Sequence, residues 1–214
     1  MSGDRDTILS RIRHGRAERT VAPAYAEVTA KRQSAAPALP RVGDDRVAAF
    51  SERAQRLSSD VLGPMAAADA GRAIARYLQS RGLPSRAVCW PDLAGHDWAG
   101  AGLAVEARAA RDTDLVGITG AFCAIAETGT LMLLSGPATP ATVSLLPETH
   151  IALLPVGRIV ARMEDAWALL RREHGALPRA VSFVSGPSRT ADIEQTVTLG
   201  AHGPYRVLIV LIRE

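Results

Sequence analysis

The feature that most constrains this chain is a change of hydrophobic rhythm near Pro84. Before it, apolar residues recur at helical spacing. Val47, Phe50, Ala54 and Leu57 share one side of a predicted helix over 44–62, with Asp44 placed to cap its first turn. A second helix is predicted over 67–80, with Ile74, Tyr77 and Leu78 as its larger apolar residues, Asp69 near its start and Gly82 near its stop. After Pro84 the apolar residues come in short runs divided by Gly and Pro. Residues 87–90, 103–106, 115–118, 129–134, 151–154, 181–184 and 207–212 read as strands, and 143–146 as a weaker one. Helical spacing returns over 158–174, where Ile159, Met163, Ala166, Trp167 and Leu170 share a side and Gly175 offers a stop. Short strands interrupted by helices predict an α/β fold: an open, mixed or mainly parallel sheet flanked by helices, with an N-terminal helical portion.

The chain divides, on this reading, into a basic, Pro- and Ala-containing arm over 1–42 and an α/β domain over 43–214 that includes its leading helices. In the arm, Ile8, Leu9 and Ile12 are spaced to line one side of a short helix that can pack on a partner. Arg5, Arg11, Arg13, Arg16, Arg19, Lys31 and Arg32 make the arm basic. Pro23, Pro37 and Pro40 mark 21–42 as linker-like. Its charges chiefly keep such an arm hydrated, with contact to phosphate or a membrane surface as the alternative.

Several function classes drop out. The formal charge is only +3, from 25 basic and 22 acidic residues, which is a weak reason to expect a polyanion. No nucleic-acid partner is expected, and the acidic pair Asp192 and Glu194 argues further against a nucleic-acid patch. Two cysteines, Cys89 and Cys123, make neither a disulfide framework nor an iron–sulfur site, so a reducing compartment fits best. The first residues lack the apolar core of a secretory signal and no stretch approaches bilayer length. A cytoplasmic protein without membrane insertion is therefore expected. His14, His96, His150, His174 and His202 are scattered without metal-ligand spacing, so no metal is expected. Cys123, among Ala121, Phe122, Ala124 and Ile125, reads as a buried thiol.

Two junctions carry the chemistry. In the run 185–194, Gly186 and Pro187 can turn the chain sharply after a strand, and Ser188 or Thr190 can begin a helix. Such a junction offers free N–H groups to a phosphate or carboxylate, with Arg189 adding a forked cation. Ser185, Gly186, Ser188, Arg189 and Thr190 are thus candidate anion-binding residues. The alternative is purely architectural: Ser188 and Thr190 cap, and Arg189 pairs with Asp192 or Glu194. In the second junction, 117–130, the glycines permit close backbone approach and Glu127 offers a carboxylate beside Thr128 and Gly129, which join the ligand-binding candidates. Glu127 is a candidate base, acid or ligand orienter, or else a structural hydrogen-bonding group. His202, beside Gly203 and Pro204, is a second candidate for proton transfer. Neither a phosphate-binding loop, a dinucleotide fingerprint nor Gly-x-Ser-x-Gly is present.

Taken together, Gly117-Ile118-Thr119, Ile125-Ala126-Glu127-Thr128-Gly129-Thr130, the run 185–194 and Gly200-Ala201-His202-Gly203-Pro204 resemble the lactate utilization protein C family over roughly 43–214. The resemblance implies a fold like that of the sugar-phosphate isomerase and coenzyme A transferase superfamilies. It also implies a part in oxidising L-lactate to pyruvate with two partner proteins, at least one of which carries iron–sulfur clusters. With no cofactor of its own, the chain is expected to be an accessory or substrate-binding subunit rather than a self-contained dehydrogenase. The alternative is an independent enzyme acting on a phosphorylated sugar or acyl-coenzyme A.

Overall fold

The computed structural model describes residues 3–17, 43–191, 197–199 and 203–213. The chain falls into two compact units, Met1–Arg41 and Val42–Glu214. In the first, Gly3–Ala17 form helix α1, which leaves Ile8 and Ile12 exposed. The predicted linker over 21–42 lies outside the described residues.

The second unit opens with α2 (Arg46–Arg56), capped by Asp45 rather than Asp44: its Oδ1 accepts the Ala48 N–H at 2.9 Å. This helix stops earlier than its apolar spacing predicts. Ser58 turns into the left-handed region at φ 67°, which no helix continues, and residues 60–62 open a strand instead. In chain order the strands are β1 (Asp60–Ala66), β2 (Arg86–Cys89), β3 (Ala104–Ala107), β4 (Val116–Gly120), β5 (Cys123–Ile125), β6 (Thr130–Leu134), β7 (Thr149–Pro155), β8 (Ile159–Val160), β9 (Val181–Val184), β10 (Arg189–Ala191), β11 (Val197–Leu199) and β12 (Arg206–Arg213). The remaining helices are α3 (Ala67–Ser80), α4 (Thr142–Leu145) and α5 (Met163–Glu173).

Six strands form a wholly parallel central sheet in the order β1-β12-β7-β4-β2-β3. Its middle strands are buried on both faces, which is why β7 and β12 read as nearly unbroken apolar runs. A second sheet, β8-β5-β6-β9, joins antiparallel β5–β6 and β6–β9 pairs to a parallel β5–β8 pair. β10 and β11 make a separate antiparallel ribbon.

Three apolar clusters fix the layers. Ala70, Ile74 and Leu78 of α3 cover one face of the central sheet through Ile118, Ile151 and Leu208. Phe50 and Ala54 of α2, with Ala124 and Leu131 of the second sheet, cover the other through Val88, Ala152 and Ile209. Alternate residues of β5 and β6, namely Cys123, Ile125 and Met132, face outward onto Ala166, Leu169 and Leu170 of α5. The order is helix, sheet, sheet, helix. Cys123 is fully buried as expected, and burial pushes its thiol up to about 11.

Two further predicted elements change type. Residues 142–145 form the short helix α4 instead of a strand, and its Val143 carbonyl sits where a Cβ on Gly117 would be. Only glycine lets α4 lie that close to β4. The predicted helix over 158–174 begins at Met163, because Ile159 and Val160 are used as β8 against Ala124 and Ile125. Asp165 then caps the helix, its Oδ2 accepting the Arg162 N–H at 3.0 Å.

Candidate functional site

The two predicted junctions converge, and they do so on the C-terminal end of α2. The β5–β6 turn carries Glu127, Thr128 and Gly129. Gly129 has φ 67°, and a Cβ there would stand 2.5 Å from the Ala54 nitrogen and 2.7 Å from the Arg53 carbonyl carbon. Gly186 has φ 90°, and a Cβ there would run into the Leu57 carbonyl oxygen. Both glycines therefore let backbone press onto the last turn of a helix.

The chain after Gly186 differs from the sequence-based expectation. No helix begins at Ser188 or Thr190. Arg189–Ala191 form β10, paired with β11, and the Ser188 N–H is already donated to Pro204 O at 2.8 Å. A cradle of free helix-end N–H groups therefore does not exist there. The guanidinium of Arg189 instead donates to Leu57 O at 3.4 Å and to Ser58 Oγ, closing the end of α2. A cation at this position complements the negative end of the helix dipole.

Hydroxyl groups join the junctions laterally. Thr128 Oγ1 donates to Thr130 Oγ1 at 2.8 Å, and Thr130 Oγ1 lies 2.8 Å from Ser185 Oγ. Thr128 and Ser185 are exposed, whereas Thr130 between them is 3% exposed. Glu127 is half-buried; its N–H donates to Ala161 O at 3.0 Å, and its carboxylate has no hydrogen-bond or ion-pair partner among the described residues. Arg189 likewise forms no ion pair among them. The structure thus gathers Glu127, Thr128, Gly129, Ser185, Gly186 and Arg189. Ser188 is tied to the chain before β12, and Thr190 lies in the ribbon. His202, Asp192 and Glu194 lie outside the described residues.

The sequence reading missed Thr130, Leu57 and Ser58. The Thr128, Thr130 alternation was visible, but the partners it needs are remote in sequence: Ser185 is 55 residues from Thr130, and Ser58 is 131 from Arg189. Position in the fold is also unusual. The cluster lies where Ser59 leads into β1 and Pro204 leads into β12, at the amino ends of the parallel strands. Open α/β sheets usually bind ligands at the opposite, carboxyl ends.

Two other polar side chains, His150 and Arg108, are engaged within the fold. His150 is fully buried with Nε2 2.8 Å from Thr119 Oγ1, and burial lowers it to about 4. Arg108 binds Asp114 through two nitrogens and also Glu106. Among the described residues no group of His, Cys, Asp or Glu is arranged to hold a metal ion, and no helix is long and apolar enough to cross a membrane.

Layered α/β architecture with a polar cluster seated on a docked helix, and with no nucleotide fingerprint, defines a general class of protein. Comparison with known proteins narrows it. The LUD domain family model matches residues 96–212, more than half of the chain, and the chain belongs to that family. It is 37% identical over 99 residues to lactate utilization protein C of Anoxybacillus flavithermus, covering 46% of this chain and 44% of that protein. It is 40% identical over 110 residues to lactate utilization protein C 1 of Bacillus mycoides, covering 50% and 47%. The matched stretch thus spans less than half the length of these relatives. The crystal structure of a DUF162 family protein from Deinococcus radiodurans shares the fold, with a TM-score of 0.58 and 23% identity over 81% of this chain and 99% of that one.

Proposed function

We propose that this chain is an accessory, substrate-binding subunit that supports oxidation of L-lactate to pyruvate in the cytoplasm, with iron–sulfur clusters held by partner proteins. Its relatives named lactate utilization protein C support the pathway. The observation that carries the binding role is the composition of the cluster at the end of α2. Among the described residues, one carboxylate, Glu127, has no hydrogen-bond or ion-pair partner; one guanidinium, Arg189, contacts only uncharged groups; and exposed hydroxyls lie on both joined loops. Those groups complement a small 2-hydroxy acid. Its carboxylate suits the cation and the hydroxyl donors, and its hydroxyl suits the Glu127 carboxylate. Cys89 and Cys123 are buried in different clusters and are too few to ligate an iron–sulfur centre, which is compatible with electron transfer by partners.

The test is reconstitution of lactate oxidation from the partner proteins with and without this chain, and with Glu127→Gln. The expected result is a loss of turnover without the chain and a reduced rate with the variant. Equal assembly, stability and turnover at matched partner concentrations would overturn the accessory role. The alternative of an independent enzyme acting on a phosphorylated sugar or acyl-coenzyme A draws on Glu127, and turnover of such a substrate by the purified chain alone would favour it.

A further inference from the structure

The three linked hydroxyls have a direction. Each hydroxyl has one hydrogen to donate and two lone pairs to accept. Thr128 gives its hydrogen to Thr130, so Thr130 must place its own hydrogen elsewhere. Thr130 is 3% exposed, beyond the reach of bulk water, and Ser185 Oγ at 2.8 Å is its remaining hydrogen-bonding neighbour among the described residues. An unused hydrogen at a buried site is costly, so it points to Ser185. The order Thr128 to Thr130 to Ser185 leaves one hydrogen over, at the exposed Ser185 end.

That direction decides what Ser185 can do. Its oxygen already accepts a hydrogen bond, which withdraws electron density and makes it a poorer nucleophile. The same polarisation, passed along two hydroxyls, strengthens its own O–H as a donor. Its neighbour two residues before Arg189 is Pro187, which has no N–H to compete for a ligand oxygen. Charge selects the ligand further. The segments 127–130 and 185–189 carry one cation, Arg189, and one carboxylate, Glu127, and a doubly charged phosphate is repelled more by that carboxylate than a singly charged carboxylate is.

We infer that the Thr128–Thr130–Ser185 relay makes Ser185 the hydroxyl that donates to a carboxylate oxygen of a small 2-hydroxy or 2-oxo acid, with the buried Thr130 as its positioning residue. This rests on the substrate-binding reading above and names the atoms that would carry it. Ser185 donates a hydrogen bond and forms no covalent bond to the ligand.

Calorimetric titration of the full chain with L-lactate, pyruvate and inorganic phosphate tests the inference. Wild type is expected to bind the two acids more tightly than phosphate. Ser185→Ala is expected to weaken acid binding about tenfold. Thr130→Val, which keeps the shape but lacks the hydroxyl, is expected to weaken it about fivefold although Thr130 cannot touch the ligand. Thr130→Ser should restore binding, which a role in packing alone would not produce. Full-strength binding by folded Thr130→Val overturns the relay, and so does labelling of Ser185 by a fluorophosphonate probe. No binding of either acid by wild type overturns both the relay and the substrate-binding reading. Normal acid binding with no effect of the chain on reconstituted oxidation overturns the accessory role alone and leaves the relay standing.

Discussion

Arg189 makes a contact that its place in the sequence does not announce. Its guanidinium, expected to face an anion or a nearby acid, also grips Leu57 O and Ser58 Oγ at the end of α2, while the acids named for it, Asp192 and Glu194, lie outside the described residues. Arg189→Ala should therefore lower stability with no ligand present, by about 0.5–1.5 kcal/mol because these are exposed hydrogen bonds to uncharged groups. Urea unfolding of the ligand-free protein checks this, and an unchanged midpoint would return Arg189 to a pure ligand role. Arg189→Lys keeps the charge but loses the fork, so it should recover only part of the stability. His150 makes a second prediction. It stays neutral in the fold down to about pH 4, against an ordinary 6.5, because burial disfavours its charged form. The unfolded chain takes up the proton first as pH falls. The stability contribution is thus complete above about 6.5 and is lost between there and 4, on the order of 3 kcal/mol in all. The unfolding midpoint of wild type should fall more steeply over that window than that of His150→Gln. Equal slopes would show that His150 is not responsible.

At the scale of elements, α2 is a docked part whose seat is made by Gly129 and Gly186. Gly186→Ala should be far worse than Gly82→Ala. Both positions have positive φ, but a Cβ at Gly82 meets nothing within 4 Å, whereas at Gly186 it meets the Leu57 carbonyl. Gly82→Ala should cost about 1–2 kcal/mol for backbone strain alone; Gly186→Ala adds a clash that only movement of α2 relieves. Comparing urea midpoints of the two variants checks the difference, and equal losses would mean that α2 is not tightly seated. The same glycines show what was legible beforehand. Short apolar runs announced the central strands because those strands are buried on both faces, and the period of 67–80 announced α3 almost to the residue. A glycine in a junction announces close approach, but not whether a ligand or a helix approaches. Residues 143–146 were misread because a four-residue apolar run has no usable period, and residues 158–162 because Ile159 suits either a helix face or a strand facing β5.

For the molecule as a whole, the charge is unevenly divided: basic residues dominate the arm while the second unit carries slightly more acidic than basic groups. We propose that the arm is dispensable for folding. Removal of 1–42 should leave a single cooperative unfolding transition with a similar midpoint, since the Val42–Glu214 unit contains the three apolar clusters described. Loss of cooperativity would show that the arm completes the fold. The seat of α2 also sets a timetable. The Arg189 contact with Leu57 joins residues 132 apart in sequence. At about 5–20 residues per second, a ribosome delivers Arg189 on the order of ten seconds after Leu57 has been made. Throughout that interval the seat of α2 lacks its Gly186 half and the hydroxyls of Thr130 and Ser185 have not met. A nascent chain therefore cannot close the Gly186 side of this seat, or bring Ser185 to Thr130, before the segment around Arg189 has been made.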